Sequence, residues 1–170
     1  MNRSKGKAVF EKRGRPLTAE GSITRRSNST VINPFSDLKA SSKNNYSFDT
    51  IQLGNNLYSD RSYIFKEIPP ILQDDAFIKT ACDDAEKSKN FELTFNLRYP
   101  STLYLIDDSR SEKLPDWAFH HWRETDFNIV SSEGIKMKIY EKEFPSGMVK
   151  LGPNRKGVSA RKGNYLIAAK

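Results

Sequence analysis

The sequence predicts a mainly β protein, an antiparallel β-sandwich or jelly roll of about eight strands preceded by an extended irregular N-terminal arm. Three observations predict it. Phe91, Leu93, Phe95 and Leu97 alternate with Glu92, Thr94, Asn96 and Arg98, the two-residue period of a strand with one buried face. Short apolar runs recur from Ser62 onward, separated by turn-forming Asp, Pro and Gly, with no long helical segments between them to build a parallel α/β sheet. Before that point the apolar side chains are scattered among Ser, Asn, Lys and Arg, and the segment cannot bury a core of its own.

The predicted arm covers residues 1–60 and the sandwich residues 61–170. Only 36% of the 170 residues are apolar, against a usual ~45–50%, which leaves room for one domain and a tail. The net charge is +7, and it is concentrated in the arm. Arg3, Lys5, Lys7, Lys12, Arg13, Arg15, Arg25 and Arg26 face only Glu11 and Glu20 within the first thirty residues. A basic arm on a near-neutral body calls for an acidic partner: nucleic acid, an acidic protein surface or anionic lipid. Within the arm, Asn33-Pro34-Phe35-Ser36-Asp37-Leu38 reads as a turn opening a short helix, with Ser36 or Asp37 as its N-cap.

The body is read as a series of strands. Tyr63, Phe65 and Ile68 make the first, stopped by Pro69-Pro70, and Ala76–Ala81 the second, ended by Asp83-Asp84. Phe91–Leu97 follows. It is predicted to turn at Tyr99-Pro100-Ser101 into a hairpin with Thr102–Ile106, whose near-continuous apolar run suits a strand covered on both faces. Pro115 fits the first position of a short helical turn in which Trp117 with His121, or Ala118 with Trp122, would share a face. Phe127–Val130, Ile135–Tyr140, Met148–Leu151 and Tyr165–Ala169 complete the set. A single cysteine, Cys82, excludes an internal disulfide framework and suits a reducing compartment. No apolar run is long enough to cross a membrane, and none near Met1 resembles a signal core.

Catalytic and metal chemistry find little support. The pairs Asp74-Asp75, Asp83-Asp84 and Asp107-Asp108 lack the alternating spacing of a calcium loop and read as turn residues bonding local amides. His120 and His121 are adjacent, so their side chains diverge and cannot share one metal. No serine sits in a nucleophile-elbow context. No catalytic residue, metal ligand or cofactor is therefore expected. Two binding surfaces are. Lys150, Arg155, Lys156, Arg161 and Lys162 are read as a basic docking loop of the same sign as the arm, and Trp122 as an aromatic platform on which a sugar ring could stack.

The order of several motifs resembles the galactose-binding-like, or discoidin-like, β-sandwich accessory modules of bacterial surface and polysaccharide-active proteins and of protist proteins. The motifs are Asp60-Arg61-x-Tyr63, Ile68-Pro69, Thr80-Ala81-x-Asp83-Asp84, Leu103-Tyr104 with Asp107–Arg110, Leu114-Pro115-x-Trp117, and Phe144 to Asn154. The match departs at Cys82, where the pattern has Asn. The resemblance covers the body, implies a non-catalytic module and favours burial of Trp117.

Partition of the chain then suggests a non-enzymatic structural protein of a large assembly in the cytoplasm and cytoskeleton. The first expectation is a microtubule-associated protein of the ciliary axoneme, its arm lying along acidic tubulin and neighbouring subunits to add reach and effective concentration. The alternatives are a ribosomal or mitoribosomal protein with its arm on RNA phosphates, and a carbohydrate-binding module with Trp122 at its site.

Overall fold

The computed structural model describes residues 32–85, 90–111, 114–154 and 163–170, and the sandwich in it begins near Phe35, not at residue 61. Strand β1 (Phe35–Ala40) pairs with β5 (Leu93–Leu97), and β2 (Ser47–Thr50) with β4 (Ala76–Lys79). Residues from Ile32 onward thus belong to the body, which corrects the expected boundary, and Ser36-Asp37 lie in a strand where a helix start was predicted. A bulge explains why β1 escaped the pattern. Asp37 sits at φ +52°, the register shifts between Ser36 and Lys39, and Phe35 and Leu38 fall three residues apart. The Asp37 carboxylate accepts from Asn96 Nδ2 at 2.8 Å and from Ser36 Oγ at 2.9 Å, holding the left-handed turn in place.

The other strands are β3 (Phe65–Glu67), β6 (Ser101–Asp108), β7 (Arg123–Ser131), β8 (Lys136–Phe144), β9 (Gly147–Leu151) and β10 (Leu166–Ala169). All eight expected strands are among the ten described. They form two antiparallel sheets, a small one ordered β1-β5-β9 and a large one ordered β2-β4-β10-β6-β8-β7-β3. The expected hairpin of β5 with β6 does not form. The two strands belong to different sheets, and Tyr99-Pro100-Ser101 is where the chain crosses between them. Proline, which lacks an N–H, suits a point where the ladder must stop. The chain crosses back at Pro145-Ser146-Gly147, where Gly147 takes φ +117°, a conformation that side chains with a Cβ rarely adopt.

Two apolar layers result. Phe35, Leu93, Phe95 and Leu97 of the small sheet meet Leu103, Leu105 and Ile167 of the large one. On the far side of the large sheet, Tyr104, Ile106, Ile139 and Leu166 are covered by Ile51, Leu57, Tyr58 and Leu72 from the irregular chain between β2 and β4. The apolar run of β6 is thus buried on both faces, as its composition predicts. Polar bonds tie the connecting segments down. Asp84 accepts from Ser42 Oγ, Asn44 Nδ2 and Tyr46 OH at 2.6–2.7 Å, and Tyr58 OH donates to Asn164 O at 2.8 Å. Among the described residues no helix is long and apolar enough to cross a membrane.

Candidate functional site

An open concave surface lies where the chain makes its two crossings between sheets. Pro100, Ser101 and Thr102 from one crossing face Phe144 and Pro145 from the other. With Glu143 and Lys170 they line a depression of about 610 Å³. It meets a second, of about 410 Å³, lined by Thr102, Arg123, Glu141, Lys142 and Glu143. Thr102 and Glu143 belong to both and are directly paired across β6 and β8.

Strand periodicity places the polar groups. Ile139, Glu141 and Glu143 alternate along β8 onto the face that Ile139 uses to meet the covering layer. Beyond that layer the same face carries charge instead of apolar carbon. Arg123 lies opposite Glu141 on β7 and forms an ion pair with it. Lys142, between the two carboxylates, projects to the opposite face with Phe144, over whose ring its ammonium stands 5.2 Å from the centroid, a cation–π arrangement. Lys170 Nζ donates to Ile71 O at 3.0 Å, fixing one rim to the covering layer. Among the described residues neither Lys142 nor Lys170 forms an ion pair with a carboxylate.

Just behind the groove, Tyr104 is 5% exposed. Burial pushes its phenol up, and Glu141 and Asp75 push it further. Burial likewise pushes the Asp75 carboxyl up, opposed by Lys170 and reinforced by Asp74. Its Oδ2 is buried without a hydrogen-bond partner.

The residues expected to bind fare differently. Trp122 is 8% exposed and packs in the core between the sheets, against Phe144 at 5.7 Å and Trp117 at 6.5 Å, so it offers no platform. The reason is local: α1 (Asp116–Phe119) buries Ala118 completely, and Trp122, whose N–H donates to Ala118 O, follows it inward. Trp117 is half-buried, with Nε1 donating to Pro153 O at 2.9 Å. Lys150 lies in β9, paired with Glu92, not in a loop. The other loop cations, Arg155, Lys156, Arg161 and Lys162, and all eight arm cations fall outside the described residues.

The acidic turns act on their own chain. Asp60 accepts from the backbone N–H of Cys82 and Asp83, Asp83 pairs with Arg61, and Asp108 chelates Arg110. Among the described residues no group of three or more His, Cys, Asp or Glu could hold a metal ion. The Cys82 thiol is buried, and burial pushes its pKa up. Sequence reasoning missed Arg123, Glu141 and Glu143 because one predicted strand began only at Phe127 and the next stopped at Tyr140. Carrying its alternation three residues further was the one signal that could have placed both carboxylates on one face.

No protein-family model matches the chain, and no curated protein does. Solved structures similar in fold include two carbohydrate-active enzymes. A β-glucuronidase from glycoside hydrolase family 2 superposes with a TM-score of 0.70 at 17% identity, over 78% of this chain and 14% of that one. A glycoside hydrolase family 138 enzyme targeting pectin rhamnogalacturonan II superposes with a TM-score of 0.54 at 14% identity, over 78% of this chain and 16% of that one. The chain thus spans less than a fifth of either enzyme, and the likeness is one of fold. It agrees with the galactose-binding-like β-sandwich that the sequence motifs resemble.

Proposed function

We propose that this chain is a non-catalytic carbohydrate-binding module, with the groove between Thr102, Arg123, Glu143 and Pro145 as its site. The observation that carries this reading is the fold likeness to part of a β-glucuronidase at a TM-score of 0.70. The chemistry of the groove supports it. Sugars present hydroxyls that both donate and accept, together with apolar ring faces. Glu143 supplies acceptors, Arg123 and Lys170 supply donors, Thr102 can do either, and Pro100 and Pro145 supply apolar wall. The buried Trp122 is not needed for such a site.

The placement of the carboxylates supports the non-catalytic reading. Glycoside hydrolysis generally requires two carboxyl groups flanking the scissile bond, one of them protonated. Glu141 and Glu143 project from the same strand, and Glu141 is engaged by Arg123 in an ion pair. The axonemal and ribosomal readings drew on the arm, and residues 32–60 of that arm are part of the sandwich itself.

A glycan array probed with the full chain tests this. Retention on defined oligosaccharides is expected, falling at least about tenfold for Arg123→Ala, a side chain exposed enough (81%) to be truncated without unfolding the body. Failure to bind any glycan, together with co-sedimentation on microtubules, would overturn the proposal in favour of the axonemal reading.

A further inference from the structure

We infer that the hydroxyl of Tyr104 is the inner contact of the groove, where it donates to an oxygen of a neutral sugar and so favours uncharged glycans over uronates and sulfated ones; the inference rests on the carbohydrate-binding reading. Tyr104 shares a face of the large sheet with Thr102, two residues before it on β6, and lies directly across from Glu141 on β8 and Ala168 on β10. The residue is 5% exposed, and its hydroxyl has no hydrogen-bond partner among the described residues. That oxygen is nonetheless not sealed from water, as Asp75 Oδ2 is. The tip of an otherwise buried ring therefore meets solvent. Its neighbours Leu72, Phe77, Ile106, Ile139 and Ala168 are completely buried in the covering layer. The opening thus lies toward Thr102 and Glu141, which line the groove, and Glu141 and Asp75 both act on the phenol.

A polar side chain buried to this degree normally has a partner. A phenol whose ring is packed in place and whose O–H is free presents a donor with little orientational freedom to lose on binding. Charge decides what it takes. Arg123 pairs with Glu141, and Lys170 opposes the charge of Asp75. Glu143 has no cationic partner among the described residues. The face thus carries three carboxylates and two cations, both engaged. A uronate carboxylate or a sulfate entering beside Tyr104 would find no free cation to meet it. A neutral sugar escapes that cost: one of its oxygens accepts from Tyr104, and its hydroxyls donate to Glu143. Burial and the two neighbouring carboxylates push the phenol up, so it keeps its proton and remains a donor at neutral pH.

Tyr104→Phe removes the hydroxyl and keeps the ring. In titrations of the full chain on the glycan array, its apparent affinity for the neutral oligosaccharide that the unaltered chain holds best should be about three- to tenfold weaker. The melting temperature should stay in place, because no bond within the protein is lost. The unaltered chain should hold the sulfated counterpart of that oligosaccharide more weakly, by a gap that narrows with added salt. Tyr63→Phe removes a hydroxyl at the opposite end of β6, beside Asp108 and Arg110, and should change neither affinity. Equal affinity in Tyr104→Phe, or an equal loss in Tyr63→Phe, would overturn the inference while leaving the carbohydrate-binding reading intact. So would a lowered melting temperature in Tyr104→Phe, which would make the hydroxyl part of the fold, or retention of charged glycans alone. No retention of any glycan by the unaltered chain would overturn both.

Discussion

Asp75 and Asp84 are both carboxylates drawn away from water, and their surroundings treat them in opposite ways. Asp84 is 2% exposed and accepts three hydrogen bonds, from Ser42, Asn44 and Tyr46, that link the β1–β2 connection to the turn after β4. Asp75 has a buried oxygen with no partner, and its carboxyl is pushed up by burial. A group whose folded pKa exceeds its unfolded one binds its proton more tightly when folded. Its contribution to stability is greatest below the ordinary value of 3.8 and is lost as pH rises through the folded value. Asp75→Asn is therefore expected to raise the melting temperature at pH 7 by about 1–3 °C, an advantage that closes as pH falls toward 3.8. Thermal melting across that range checks it, and a lower melting temperature at pH 7 would mean that the carboxylate is stabilising after all. Neither role was legible from the sequence, where both residues are members of Asp-Asp pairs read as turns. Burial and partners decide between them, and these come from residues about forty positions distant for Asp84.

Strands announced themselves where alternation ran unbroken. Leu93–Leu97 shows strict buried and half-buried alternation, and Leu166–Ala169 is buried throughout at the centre of the large sheet. β1 did not, because its bulge at Asp37 breaks the two-residue period, and β2 is only four residues long. The helical turn was legible from Pro115, but which tryptophan it would bury was not. Ala118 leads Trp122 into the core, whereas Trp117 is wedged against the chain leaving β9. A Cβ added at Gly152 would lie 2.6 Å from Trp117 Cδ1, and the same ring donates to Pro153 O. Gly152→Ala should consequently cost about 1–3 kcal/mol by urea unfolding and alter tryptophan fluorescence in the folded state. An unchanged midpoint and spectrum would show that the indole can move aside freely. The groove was the least legible part, since it is assembled from two crossings whose meeting depends on β5 and β6 lying in different sheets.

For the molecule as a whole, the displaced domain boundary has a direct test. A chain starting at residue 61 lacks β1 and β2 and strips Phe35, Ile51, Leu57 and Tyr58 from the two apolar layers. Losing four such side chains, each worth about 1.5–3 kcal/mol when buried, exceeds much of the ~5–15 kcal/mol that holds a typical domain together. The fragment from residue 61 should show no cooperative melting transition, whereas one starting at residue 32 should melt cooperatively. A folded fragment from residue 61 would restore the original boundary. The small sheet also has a kinetic consequence. Its three strands come from near the start, the middle and the end of the described chain, and every pairing in it joins residues fifty or more positions apart. Contacts so remote in sequence are costly to close and slow to form, on the order of milliseconds to seconds for β topologies. During synthesis Leu93–Leu97 must wait for Gly147–Leu151 to be made before its second edge is covered. That interval, with an apolar strand open on one edge, is when the chain is most prone to aggregate.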